Sequence, residues 1–132
     1  MHKQIFVNLP VRDLKRSMTF FKALGLAFNP AFTNDNAACL VIGENIYAML
    51  LVEPFFKTFT DKTLVDAHES VEALVCLSCE SRAEVDEVVA KAVAAGGRAL
   101  REPQDHGFMY GHGFEDPDGH IWELVHMAPE AA

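Results

Sequence analysis

Basic charge is in short supply in this sequence. Eleven Lys and Arg stand against nineteen Asp and Glu, giving a formal net charge of −8 and a pI near 5.1. That balance disfavours nucleic acid and anionic membrane as partners. Lys57 and Lys62, or Arg12, Lys15 and Arg16, read as solvated faces rather than a patch. Long hydrophobic runs are also missing, so no segment is expected to span a bilayer. Met1-His2-Lys3-Gln4 leads straight into a strand pattern instead of a secretory leader. The expectation is a soluble, cytoplasmic protein. Cysteine is scarce and odd in number: Cys39, Cys76 and Cys79 each sit in an apolar run and read as buried, reduced thiols. Cys76 and Cys79 have C-x-x-C spacing, but strand positions three apart face opposite ways, which weakens both a metal and a disulfide reading.

What remains suffices for a core. Half of the 132 residues are hydrophobic and 23% are charged, the balance of an ordered globular chain. At this length about two-thirds of the unfolded surface can be buried, so no staple is required. One domain, or two small halves sharing a core, is expected.

Residues 4–11 alternate as a strand. Asp13 is placed to cap a helix carrying Leu14, Ser17, Met18, Phe21 and Leu24 on one stripe, and Gly25 stops it. Residues 26–33 read as a short strand, and 37–42 with 46–53 as a hairpin about Gly43-Glu44-Asn45. Segment 54–70 then loses its periodicity. With Phe55, Phe56 and Phe59 in a polar setting, it reads as a lid over something apolar or as a subunit contact. From residue 72 the opening pattern returns. A strand runs to Cys79, Ser81 and Glu84 form a capping box, and Val85, Val88, Val89, Ala92 and Val93 stripe a helix that Gly96-Gly97 ends. Arg98–Arg101 reads as a strand, and 107–115 with 120–126 as a closing hairpin.

The chain therefore repeats itself. Phe6 falls over Leu74, Val7 over Val75, Leu9 over Leu77 and Asp13 over Ser81, a constant offset of 68; at the last hairpins Asn45 falls over Gly119 at an offset of 74. The expected fold is α+β, with βαβββ modules at 1–55 and 72–132 joined by a linker at 56–71. Each module should present one open sheet face, the two faces curving into a single cleft.

Val11-x-Asp13-Leu14-x-x-Ser17-x-x-Phe20-Phe21-x-x-Leu24-Gly25 and Phe114-x-Asp116-Pro117-Asp118-Gly119-x-x-Trp122-Glu123 resemble the vicinal oxygen chelate superfamily. This is the glyoxalase, bleomycin-resistance and extradiol-dioxygenase group, and the likeness is to its glyoxalase-like branch. It covers nearly the whole chain and implies the paired-module fold and a homodimer. Family enzymes hold a divalent metal with side chains on the first and last strands of each module. Those positions here are Phe6, Met49, Leu74 and Glu123, with Leu51 or Tyr47 as alternatives for Met49. A hard or borderline cation needs oxygen or nitrogen donors, so no metal or other cofactor is expected. The alternative is a metal held by Glu123 with substituted ligands: His106, His112 and His120 lie near the cleft end, His112 mid-hairpin where it can point in, and His120 on the strand face opposite Glu123.

Without a metal the cleft floor is expected to comprise Phe6, Asn8, Met49, Leu51, Leu74, Cys76, Ser78, Ile121 and Glu123, an apolar small-molecule site with a few polar groups. Phe55, Phe56, Phe108 and Tyr110 are candidates for an aromatic collar, and His112 for a polar contact. Trp122 should pack under a helix. Glu123 is the candidate catalytic residue, a desolvated carboxylate able to take up or give a proton. The alternatives are that it contacts a ligand, or that it pairs with Asn8 or Tyr110 and does no chemistry. Three readings stay open: a small-molecule binding protein, a metal-free enzyme using Glu123, and a metal-dependent lyase, isomerase or dioxygenase.

Overall fold

The computed structural model describes residues 1–129; the last residues assigned to the second module, 130–132, lie outside the described residues. Contacts divide the chain into two compact units, 1–65 and 66–132. No helix among the described residues is long and apolar enough to cross a membrane.

The first unit begins with β1 (Ile5–Val11) and α1 (Leu14–Ala23). Asp13 caps α1 by accepting from the Arg16 N–H at 3.1 Å, and Gly25 leaves the helix with φ +92°. The expected strand at 26–33 is only β2 (Ala27–Asn29), because Pro30–Phe32 turns as a short 3₁₀ segment capped by Asn29. The Asn29 side chain accepts from the Ala31 N–H at 3.0 Å. β3 (Ala37–Gly43) and β4 (Ile46–Val52) follow as the hairpin, and α2 (Glu53–Phe56) occupies the start of the aperiodic segment. The sheet order is β1-β4-β3-β2, with β1 and β4 parallel. Val11, Phe20, Phe21, Leu40 and Leu50 form the heart of this unit's core.

The second unit repeats the plan with β5 (Leu74–Ser78), α3 (Arg82–Ala94), β6 (Gln104–Asp105), β7 (Met109–Glu115) and β8 (Ile121–Met127), in the order β5-β8-β7-β6. Ser81 caps α3 by accepting from the Glu84 N–H at 3.0 Å. The Glu84 carboxylate reaches back one residue further than the expected box, to the Glu80 N–H at 2.9 Å. α3 packs on β7 and β8, burying Val85, Val89 and Ala92 against the face that carries Phe114, Trp122 and Leu124. Trp122 thus lies under the helix, as its place in the alternation predicts.

The Asp-Pro-Asp-Gly turn has a structural explanation. Asp116 Oδ1 accepts from the N–H groups of Asp118 (2.9 Å) and His120 (3.0 Å), and Oδ2 accepts from the Trp122 indole at 3.0 Å. One buried carboxylate therefore closes the turn and ties it to the largest core side chain. Burial pushes the Asp116 carboxyl above its ordinary range, while nearby His120 and these donors pull the other way. Arg98–Arg101 does not form the expected strand. Arg98 alone bridges Glu115, and the ladder resumes only at Gln104 opposite Gly111. Residues 99–103 thus face the shorter stretch 112–114, and the surplus chain bulges away from the sheet edge.

Candidate functional site

Antiparallel partners share a sheet face. In the hairpin of β7 and β8, Gly113 stands opposite Glu123, Gly111 opposite Val125, and Glu115 opposite Ile121. Glu123 therefore looks out across glycine. A Cβ on Gly113 would lie 2.8 Å from the Trp122 carbonyl oxygen, a clash with backbone, and 3.5 Å from Glu123 Oε2, an ordinary contact that places the glycine directly beside the carboxylate. Gly113 and Glu123 line a cavity of about 170 Å³ together with Leu74, Leu100, Arg101 and Ile121. All of these residues belong to the second unit. In the first unit the equivalent ladder position pairs Cys39 with Met49.

Glu123 is half-buried. Its carboxylate has no hydrogen-bond or ion-pair partner among the described residues, and neither does the Arg101 guanidinium. The Arg101 carbonyl, however, accepts from His112 Nε2 at 2.7 Å. That bond ties the bulge carrying Leu100 and Arg101 to β7. His112 lies on the same face as Leu124, away from Glu123. It is thus a positioning residue for the cavity wall and not the polar ligand contact expected from the sequence.

Tyr110 also faces away from Glu123. Paired with His126 on the helix side, it donates its hydroxyl to Asp86 Oδ1 at 2.5 Å, and the Arg82 guanidinium carbon sits 5.0 Å from its ring centroid. It neither pairs with Glu123 nor joins a collar over it. Phe108 precedes β7, is exposed, and sits 6.4 Å from the His106 ring, centroid to centroid. Leu74 and Cys76 occupy the face of β5 expected of them, Cys76 beside Glu123 in the ladder.

The remaining candidates belong to the first unit. Phe6 and Asn8 are exposed on β1, and Phe6 stacks on Tyr47 at 4.8 Å and 12°. Met49 is half-buried opposite Asn8, and Leu51 is buried. Phe55, in α2, packs edge-on to Phe59 at 5.4 Å, and Phe56 is half-buried.

The ladder fixes which residues are equivalent between the units. Asn8 pairs with Met49 as Cys76 pairs with Glu123, so Met49, not Leu51 or Tyr47, is the counterpart of Glu123. The donors offered at the four family metal positions are then an aromatic ring, a thioether, an alkyl chain and one carboxylate, and this set does not fit a divalent cation. Among the described residues no three His, Cys, Asp or Glu side chains are grouped to hold one.

All three cysteines are free thiols, but only Cys39 is buried as expected; Cys79 is half-buried and Cys76, at the start of the C-x-x-C spacing on β5, is exposed. Burial pushes Cys39 up; burial and then the Glu123 charge push Cys76 up. Cys79 is pushed up to about 12 by burial, then by the Glu84 hydrogen bond and charge. Titration with a thiol-reactive disulfide at pH 8 should label all three at least about ten-fold more slowly than free cysteine, exposed Cys76 first. Rapid labelling of Cys79, or a Cys76–Cys79 disulfide recovered by mass spectrometry, would restore the redox reading of C-x-x-C.

Residues 3–124 match the model of the glyoxalase/bleomycin resistance protein/dioxygenase superfamily. No curated protein matches the sequence. Among solved structures, a hypothetical protein from S. aureus is similar at 30% identity, TM-score 0.80, with 95% of this chain and 94% of that one covered. A glyoxalase-related enzyme from Fulvimarina pelagi shares 22% identity at TM-score 0.79, covering 95% and 88%. A fosfomycin resistance protein from Mesorhizobium loti shares 15% identity at TM-score 0.72, covering 99% and 97%. The last two likenesses are likenesses of fold.

Proposed function

The chain belongs to the glyoxalase/bleomycin resistance protein/dioxygenase superfamily, and from that premise we propose that it binds a small organic molecule in the second unit's cavity without a metal ion. The observation that carries this reading is Gly113, which leaves open the space in front of a carboxylate that has no protein partner among the described residues. Apolar walls with a few polar groups are the usual composition of a ligand site. Here Leu74, Leu100 and Ile121 supply the walls, and Glu123 and Arg101 the polar groups. The space suits a compact ligand, since an apolar cavity of ~150 Å³ takes up benzene. The family's metal chemistry is set aside because three of the four positions lack a suitable donor. A bound compound that also reacts would find Glu123 placed to exchange a proton with it.

A thermal-shift screen of a broad compound panel tests this reading. Binders should raise the melting temperature by several degrees when present at about 100 times their Kd, a stabilisation of ~2.7 kcal/mol. The shift should survive EDTA and disappear in Leu100→Trp, which fills the cavity from an exposed position. Absence of any shift overturns the reading. So does a stoichiometric divalent metal that is lost on Glu123→Ala.

A further inference from the structure

The cavity's two charged walls define what should fill it. Glu123 on β8 and Arg101 on the bulge held by His112 both line one space of about 170 Å³. No ion pair joins them, and neither head group has another partner among the described residues. We propose that the cavity takes a small zwitterion of amino-acid size, its ammonium on Glu123, its carboxylate on Arg101, and its apolar body against Leu74, Leu100 and Ile121. This rests on the pocket reading above and narrows it to one ligand class.

Charge complementarity selects that class. A simple amine would satisfy Glu123 and bring its positive charge towards Arg101. A simple carboxylate would satisfy Arg101 and bring its negative charge towards half-buried Glu123. Each leaves one wall unpaired and repelled, which discriminates against it. A molecule with an ammonium and a carboxylate a few bonds apart meets both walls through charge-assisted bonds of about 2.7–2.9 Å. Its selection needs no metal, because the orientation comes from two opposite charges on separate elements.

Calorimetric titration of the full chain with the proteinogenic amino acids is the direct test. For the tightest binder, the matched amine lacking the carboxylate and the matched acid lacking the ammonium should each bind about 10- to 100-fold more weakly. Arg101→Gln should abolish the preference for amino acid over amine, and Arg101→Lys should keep part of it. Glu123→Gln should abolish the preference for amino acid over acid. Equal binding of either single-charge analogue to the unaltered chain overturns the inference. So does failure of every amino acid where other compounds of the screening panel still bind, an outcome that leaves the pocket reading standing. If nothing binds at all, the pocket reading falls with it.

Discussion

Replacing Asp116 with alanine should destabilise the protein by about 3 kcal/mol or more, because three donors lose their acceptor together. The Asp118 and His120 N–H groups and the Trp122 indole all bond to this one buried side chain. A buried group left unsatisfied costs about 1–3 kcal/mol, against a total stability of roughly 5–15 kcal/mol for a domain. Urea denaturation should show a lower midpoint at unchanged slope, and the melting temperature should fall by on the order of 10 °C. Asp116→Asn should fall between the two. Its amide offers one acceptor oxygen, so one side of the carboxylate's former contacts must face an NH₂ group. The pH dependence has a definite sign. Because burial holds the folded-state pKa of Asp116 above its ordinary 3.8, the folded form binds the proton more tightly than the unfolded one. The corresponding stability is fully present below that ordinary value and is lost as pH rises through the folded pKa. The advantage of the native chain over Asp116→Asn should therefore shrink as pH is raised across that window. An Asp116→Ala variant melting within a degree or two of the native protein would show that the carboxylate is not the anchor of the turn.

That anchor separates what the sequence discloses from what it withholds. The paired modules are legible because periodicity and offset are local quantities: Asp13 and Ser81 cap the helices of both units, and the sheets share one strand order. The positions of Glu123 and Trp122 on opposite faces of β8 follow from simple alternation. The cavity is harder to read, since Leu100 and Arg101 reach it only because the segment after Arg98 leaves the ladder and bulges. Nothing in Arg98-Ala-Leu-Arg distinguishes a bulge from a strand. Tyr110 and His112 fail for a different reason, which the sequence could have supplied. Once the Asp-Pro-Asp-Gly turn sets Glu115 opposite Ile121, counting back pairs Gly113 with Glu123 and His112 with Leu124. Tyr110 and His112 then belong to the helix side, and the glycines at 111 and 113 to the carboxylate's side. The informative residues at the site were those without side chains.

The largest steric effect is expected at another glycine. Gly119→Ala should cost about 3–5 kcal/mol, at the large end for a single substitution, because strain at a special backbone conformation and a backbone clash act together. Two terms contribute. Gly119 holds φ at +91°, where an L-residue pays roughly 1–2 kcal/mol. In addition, a Cβ at this position would lie 2.5 Å from the His68 amide nitrogen and 2.7 Å from the Ala67 carbonyl carbon. Both are backbone atoms, so no side-chain rotation can relieve the clash. The segment must move, and with it His68, whose Nδ1 lies 2.7 Å from Glu115 Oε1 and whose Nε2 lies 3.2 Å from the Pro117 carbonyl oxygen. Gly25 isolates the first term. It has nearly the same φ, +92°, yet a Cβ there meets nothing within 4 Å, so Gly25→Ala should cost only the conformational ~1–2 kcal/mol. Chemical denaturation of the two variants side by side therefore measures the packing of residues 67–68 on the turn as a difference. Equal losses would mean that this segment yields freely and does not brace the turn that carries Asp116 and leads into Glu123.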